Sequence, residues 1–177
     1  MKKILVALFF TICLTGCSNS NELNQGLSEA GSQNTEHISY TNSTLGFSLT
    51  IPNTWKDFYT IYEWADGIDF YFIGESDASQ GFDTQLVKGL YLFSIGKENY
   101  VQENGDFLDG ITQIGTIEGY KFYSYTGTDC SMCILKDETM DYSSEELNKM
   151  NNDWEKAVVM SSEKEIVLSS FRVAQED

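Results

Sequence analysis

The chain has 177 residues, 41% of them hydrophobic and 14% aromatic, enough for one well-packed domain and too few for two once a processed front end is set aside. Eleven Lys and Arg stand against 27 Asp and Glu, and a net charge of −16 repels nucleic-acid phosphates and anionic lipid headgroups alike. A core of this size needs neither metals nor many disulfides to fold.

The front end reads in three parts: basic Lys2 and Lys3, an apolar run from Ile4 to Leu14, and small residues before Cys17. The run is too short to span a bilayer, and the pattern is that of an export signal. Leu14, Thr15, Gly16 and Cys17 resemble the lipobox of bacterial lipoproteins. The resemblance implies removal of residues 1–16 as a signal peptide, diacylglyceryl transfer to the sulfur of Cys17, and anchoring to the extracytoplasmic face of the cell membrane. Two acyl chains, at about 0.8 kcal/mol per buried methylene, hold far more firmly than one. Loss of Lys2 and Lys3 takes the net charge from −16 to −18. From Ser18 to Ser39 the chain is rich in Ser, Asn, Gln, Gly and Glu, with almost nothing to bury, and is expected to be a disordered tether. Its root-mean-square reach is roughly 25 Å. Residues 17–39 are thus the lipidated cysteine and tether, and residues 40–177 the domain.

Within the domain, Leu45, Phe47, Leu49 and Ile51 alternate with Gly46, Ser48 and Thr50, predicting a half-buried strand. Pro52, the only proline, turns the chain with Asn53 and Thr54. A second strand is expected up to Trp64. Ile68 to Gly74 and Leu86 to Ile95 are apolar on both parities, as in central strands covered on both faces. Asp77 to Asp83 reads as a surface loop. Glu98 to Gly110 has helix-like spacing weakened by Gly105. Gly119 to Thr126 predicts a strand, with Ile114 to Glu118 a strand or turn before it. Ser143, three residues ahead of Glu146, predicts a helix start. Leu147, Met150, Trp154, Ala157 and Val158 follow as its apolar stripe. A last strand is expected over Glu165 to Val173.

The opening from Gly46 to Trp55, GFSLTIPNTW, with the late helix and final strand, resembles PsbP-like domains over roughly Tyr40 to Val173. The resemblance implies an α+β fold: an antiparallel β-sheet flanked by helices as an α/β/α sandwich. Members serve as accessory or binding modules. No ligand residue of that family carries over to this sequence.

Candidate chemistry is sparse. Cys130 and Cys133, the only thiol pair of the exported domain, have the spacing of thiol–disulfide exchange centres. The same spacing fits a local structural disulfide, the common outcome outside the cytoplasm, or two idle thiols. Two sulfurs alone fall short of a closed zinc site. His37, the sole histidine, is placed in the tether, which removes Ser-His and Cys-His catalysis unless the tether folds back. Glu103, Asp106 and Asp109, or Asp66 with Asp69, offer oxygens for calcium but not in the order of a calcium loop. Tyr59, Tyr62, Trp64, Tyr71, Tyr91, Tyr123 and Tyr125 fall on predicted strands. Most are expected in the core, and any subset gathered on one sheet face would make a binding patch.

These features predict a non-enzymatic, membrane-anchored binding or accessory module, monomeric, without cofactor, metal or nucleic-acid partner, acting on an unidentified protein or small molecule. The competing expectation is an extracytoplasmic thiol–disulfide oxidoreductase using Cys130 and Cys133. A carboxylate-based hydrolase stands third and would need a cleft with two opposed acids.

Overall fold

A computed structural model describes residues 36–80, 88–136 and 141–175, all within the unit Asn34–Asp177. The expected signal peptide, Cys17 and the tether up to residue 35 lie outside the described residues, as do Leu86 and Val87 of one predicted strand.

The fold is α+β, with antiparallel strands and helices packed on them. β1 (His37–Asn42), β2 (Phe47–Pro52) and β8 (Arg172–Val173) form a three-stranded sheet in the order β1-β2-β8. β3 (Tyr59–Trp64), β4 (Gly67–Phe72), β5 (Leu90–Lys97), β6 (Leu108–Ile117) and β7 (Tyr120–Gly127) form a five-stranded sheet in the order β3-β4-β5-β7-β6. Between β5 and β6 lies α1 (Glu98–Asn104), which packs on β5 and β7; the long α2 (Ser144–Ser169) packs on β2.

Alternation in β2 puts Phe47, Leu49 and Ile51 fully inside, as the sequence asks, but the opposite face is more covered than a half-buried strand implies, Ser48 being 6% exposed between β1 and β8. Facing them, the five-stranded sheet contributes Ile68, Phe70, Phe72, Phe93, Ile95 and Phe122, and α2 adds Met150, Ala157, Met160, Val167 and Leu168. Apart from Ala157, each such side chain contributes about 1.5–3 kcal/mol on burial. Trp55, in the 3₁₀ turn Asn53–Trp55 that follows Pro52, is wholly buried and sets its ring edge-on to Phe70 and Phe93. At the β6–β7 hairpin, Glu118 and Gly119 both take positive φ, 51° and 85°, the two-residue turn whose twist matches its strands.

Four expectations are corrected. The tether expected to run to Ser39 gives way at His37 to β1, a strand the sequence reading did not predict, in which Ile38 and Tyr40 alternate toward the core and pair with Ile51 and Leu49 of β2. The helix expected from Glu98 to Gly110 stops at Asn104, and Leu108 to Gly110 open β6 instead. The strand expected over Glu165 to Val173 is mostly helix, with only Arg172 and Val173 extended. Met150, Asp153, Ala157, Met160, Val167 and Leu168 continue one buried face at helical spacing, which overrides the β-branched Ile166 and Val167. Leu147 and Val158, placed on that stripe from sequence, are 39% and 45% exposed and lie off it.

Ser143 caps α2 as expected, its hydroxyl accepting the Glu146 N–H at 3.2 Å. The Glu146 carboxylate does not return to the cap but accepts the Asp77 N–H at 2.6 Å.

Candidate functional site

One face of the five-stranded sheet serves the core, and among the described residues α1 packs on the other. Because side chains alternate along each strand, the outer face of β4 carries Asp69 and Tyr71 while Ile68, Phe70 and Phe72 point inward. Register extends this pattern sideways. Tyr62 on β3 lies opposite Asp69, Asp69 opposite Ser94 on β5, and Ser94 opposite Tyr125 on β7, so four strands contribute to one row. Tyr71 and Tyr91 form the adjacent row, their ring centroids 5.8 Å apart.

On the other side of Asp69 the face is closed. Trp64 lies over Gly67 and Gly96, where an added Cβ would meet its ring at 2.5 Å and 3.3 Å. Tyr100 of α1 packs on Trp64 with centroids 4.6 Å apart and stacks on Tyr125 at 5.8 Å.

Asp69 is half-buried. Its Oδ1 accepts the Ser94 hydroxyl at 2.6 Å and the Trp64 indole N–H at 3.2 Å. Since Ser94 spends its proton on Asp69, the Tyr91 hydroxyl, 2.8 Å away, donates to the Ser94 oxygen, and a directed relay runs from Tyr91 to the carboxylate. Oδ2 has no partner among the described residues. The ion pairs there are Lys97–Asp66, Lys121–Glu98, Lys149–Glu145 and Lys156–Glu75, none of which involves Asp69.

Burial raises the Asp69 pKa above its ordinary value, against the bonds from Ser94 and Trp64 that lower it. The Tyr71 hydroxyl is pushed up to about 12 by burial and by the negative charge of Asp69. Tyr91 and Tyr125 are driven up for the same two reasons. Around neutral pH the phenols are therefore neutral and a single charge sits among them. Tyr125 is 2% exposed, and its hydroxyl has no hydrogen-bond partner among the described residues.

Cys130 and Cys133 are joined by a disulfide, both exposed, at the start of the 3₁₀ turn Ser131–Lys136. The Cys133 N–H closes the turn on the Cys130 carbonyl at 3.1 Å. Beside the pair is an open hollow of about 240 Å³ whose walls, among the described residues, include Tyr91, Met132, Asp129 and Ser161 but no Lys, Arg or His. A second, wider hollow of about 730 Å³ lies along the three-stranded sheet between Thr41, Ser48, Glu118 and Arg172.

The remaining sequence candidates stand apart. His37 is exposed in β1, paired with Pro52, and so belongs to the domain rather than to the tether. Asp66 is held by Lys97 at 3.5 Å, away from the bonds that occupy Asp69. Asp109 accepts the N–H of Gly110 at 2.7 Å, and no group of three potential metal ligands occurs among the described residues. No helix among them is long and apolar enough to cross a membrane. Ser94 and Tyr100 escaped the sequence reading. One signal was legible: an aspartate between Ile68 and Phe70, inside an otherwise apolar strand where Asp is disfavoured.

No protein-family model, curated protein or solved structure matches the chain.

Proposed function

We propose that this protein is a lipid-anchored, extracytoplasmic binding module that carries out no turnover, and that the outer face of its five-stranded sheet is where its ligand sits. The observation carrying the proposal is the convergence of Tyr62, Tyr71 and Tyr91 on a half-buried carboxylate that lacks a counter-charge among the described residues. Rigid aromatic side chains around a few polar groups are the makings of a small-molecule or peptide site. The lipobox at Leu14 to Cys17 and the PsbP-like opening at Gly46 to Trp55 support an anchored accessory role.

Thiol exchange at Cys130 and Cys133 is favoured by their exposure. It is weakened by Asp129 next to them and by the lack of a basic group, among the described residues, in the adjoining hollow, since a reactive thiolate needs positive charge nearby.

Thermal denaturation against a panel of sugars, amines, carboxylic acids and peptides tests the binding reading. At least one class is expected to raise Tm as its concentration passes Kd, and Tyr71→Ala with Tyr91→Ala to abolish the rise. Stabilisation by no class, or the same stabilisation in the double variant, overturns it. Intact-mass spectrometry of membrane-extracted protein tests the anchor: cleavage before Cys17 with an added diacylglyceryl mass is expected, and a bare Cys17 overturns it.

A further inference from the structure

We propose that the ligand of this face is a small organic ammonium ion, seated against Asp69 Oδ2 and flanked by the rings of Tyr62, Tyr71 and Tyr91. The inference rests on the binding-module reading above and narrows it to one chemical class.

Charge comes first. Asp69 is the one ionised group in its row, with Oδ1 bonded twice and Oδ2 without a protein partner among the described residues. A partly desolvated carboxylate without a counter-ion is unfavourable, and a cationic ligand supplies what the fold leaves out. An anion would be repelled by Asp69, and an uncharged ligand would leave its charge uncompensated.

The walls select the kind of cation. Tyrosine rings present negative π-faces, to which an alkylammonium ion is drawn while its carbon portion covers apolar surface. Tyr62 is 40% exposed and Tyr71 and Tyr91 are half-buried, so each keeps part of its surface open to a ligand. A metal ion is poorly matched, because the neighbouring oxygens belong to neutral phenols and hydroxyls and one carboxylate makes no closed ligand set. Nor are the lysines seen over aromatic rings on this face: Lys97 lies over Tyr120, Lys136 over Trp154, Lys156 over Phe58 and Lys164 over Phe93.

Two further features fit. The relay from Tyr91 through Ser94 fixes the carboxylate from behind, so that Oδ2 is the oxygen left for a ligand. The net charge of −16 also raises the local concentration of any small cation.

The test is calorimetric titration of the full-length protein in a non-ionic detergent with four probes. Choline is compared with its uncharged carbon counterpart 3,3-dimethylbutan-1-ol, and n-butylammonium with butan-1-ol. At least one cation is expected to bind saturably and at least tenfold more tightly than its neutral counterpart. Asp69→Asn, which keeps an acceptor for Ser94 and Trp64, is expected to weaken that cation at least tenfold with an unchanged circular dichroism spectrum. Equal binding of charged and neutral probes, or an Asp69→Asn protein that binds the cation as well as wild type, overturns the inference; if the binding is still lost in Tyr71→Ala with Tyr91→Ala, the binding-module reading survives. Lack of saturable binding by both cations also overturns the inference, and the wider ligand panel then decides the module reading separately.

Discussion

Asp153, fully buried on α2, accepts three hydrogen bonds from the chain just beyond β4: the Ser76 hydroxyl at 2.5 Å and the Ser76 N–H at 2.8 Å on Oδ2, and the Glu75 N–H at 3.0 Å on Oδ1. Gly74 makes room for it, since an added Cβ there would lie 2.2 Å from the carboxylate carbon. Helix and sheet are fastened at this point by one side chain that satisfies three donors otherwise without partners.

Asp153→Ala is therefore expected to destabilise the domain by about 3 kcal/mol or more, by stranding those donors. Burial alone would raise the pKa of Asp153, but the bonds from Ser76 and Glu75 outweigh it and hold the carboxyl below its ordinary value of 3.8. A lowered folded-state pKa gives stability that is complete above the unfolded value and lost as pH falls through the folded one. Urea unfolding at a series of pH values from neutral to acid should show Asp153→Asn losing less stability than wild type on acidification. Equal acid sensitivity would contradict the role given to Asp153.

Asp69 has the opposite sign. Its raised folded-state pKa gives stability present below 3.8 and lost as pH rises through the folded value, so at neutral pH the charged form is a burden on the fold. Asp69→Asn is expected to raise Tm at pH 7, with the gain shrinking as pH is lowered through the acid range. A fall in Tm at pH 7 would show that the carboxylate is kept for packing rather than for a ligand.

Trp55 donates its indole N–H to Glu163 Oε2 at 2.9 Å, and Thr54 donates its hydroxyl to the same oxygen at 2.7 Å, tying the turn after Pro52 to α2. Trp55→Ala should cost about 3–5 kcal/mol, because a large, fully buried ring is removed. Glu163→Ala should cost about 1–2 kcal/mol, and Glu163→Gln less, since the amide oxygen still accepts. Chemical denaturation of the three variants measures the order, and a Glu163→Ala protein as unstable as Trp55→Ala would refute it.

The Cys130–Cys133 bridge spans three positions in sequence. Closing so small a loop removes little freedom from the unfolded chain, so Cys130→Ser with Cys133→Ser should cost at most about 2 kcal/mol. Scanning calorimetry with and without reductant checks this. A collapse of the fold on reduction would make the bridge a main support instead of a local staple.

Much of the scaffold was legible because it depends on neighbours in sequence. The alternation from Phe47 to Ile51 and the Ser143 cap each follow from a few adjacent residues, and both stand as expected. Glu165-Ile166-Val167-Leu168 misled because local β-propensity loses to a burial pattern set twenty residues upstream. The tyrosine face was half legible: the sequence places Tyr62, Tyr71, Tyr91 and Tyr125 on strands, but not in adjacent rows. That alignment depends on pairing across four strands and on the irregularity between Phe70 and Tyr71, which shifts the register with β5 by one residue.

β8 contributes only two residues, yet it bonds to β2 through Phe47 and Ser48, and the Ala174 N–H reaches the Gly46 carbonyl at 2.8 Å. Just before it, Phe171 lies 5.1 Å from Phe47 and 5.4 Å from Phe122, measured between ring centroids. A chain synthesised amino end first must hold Phe47 without that neighbour through more than a hundred residues of growth. Completion of this sheet therefore waits for its last strand, although β1 and β2 can already pair at six positions.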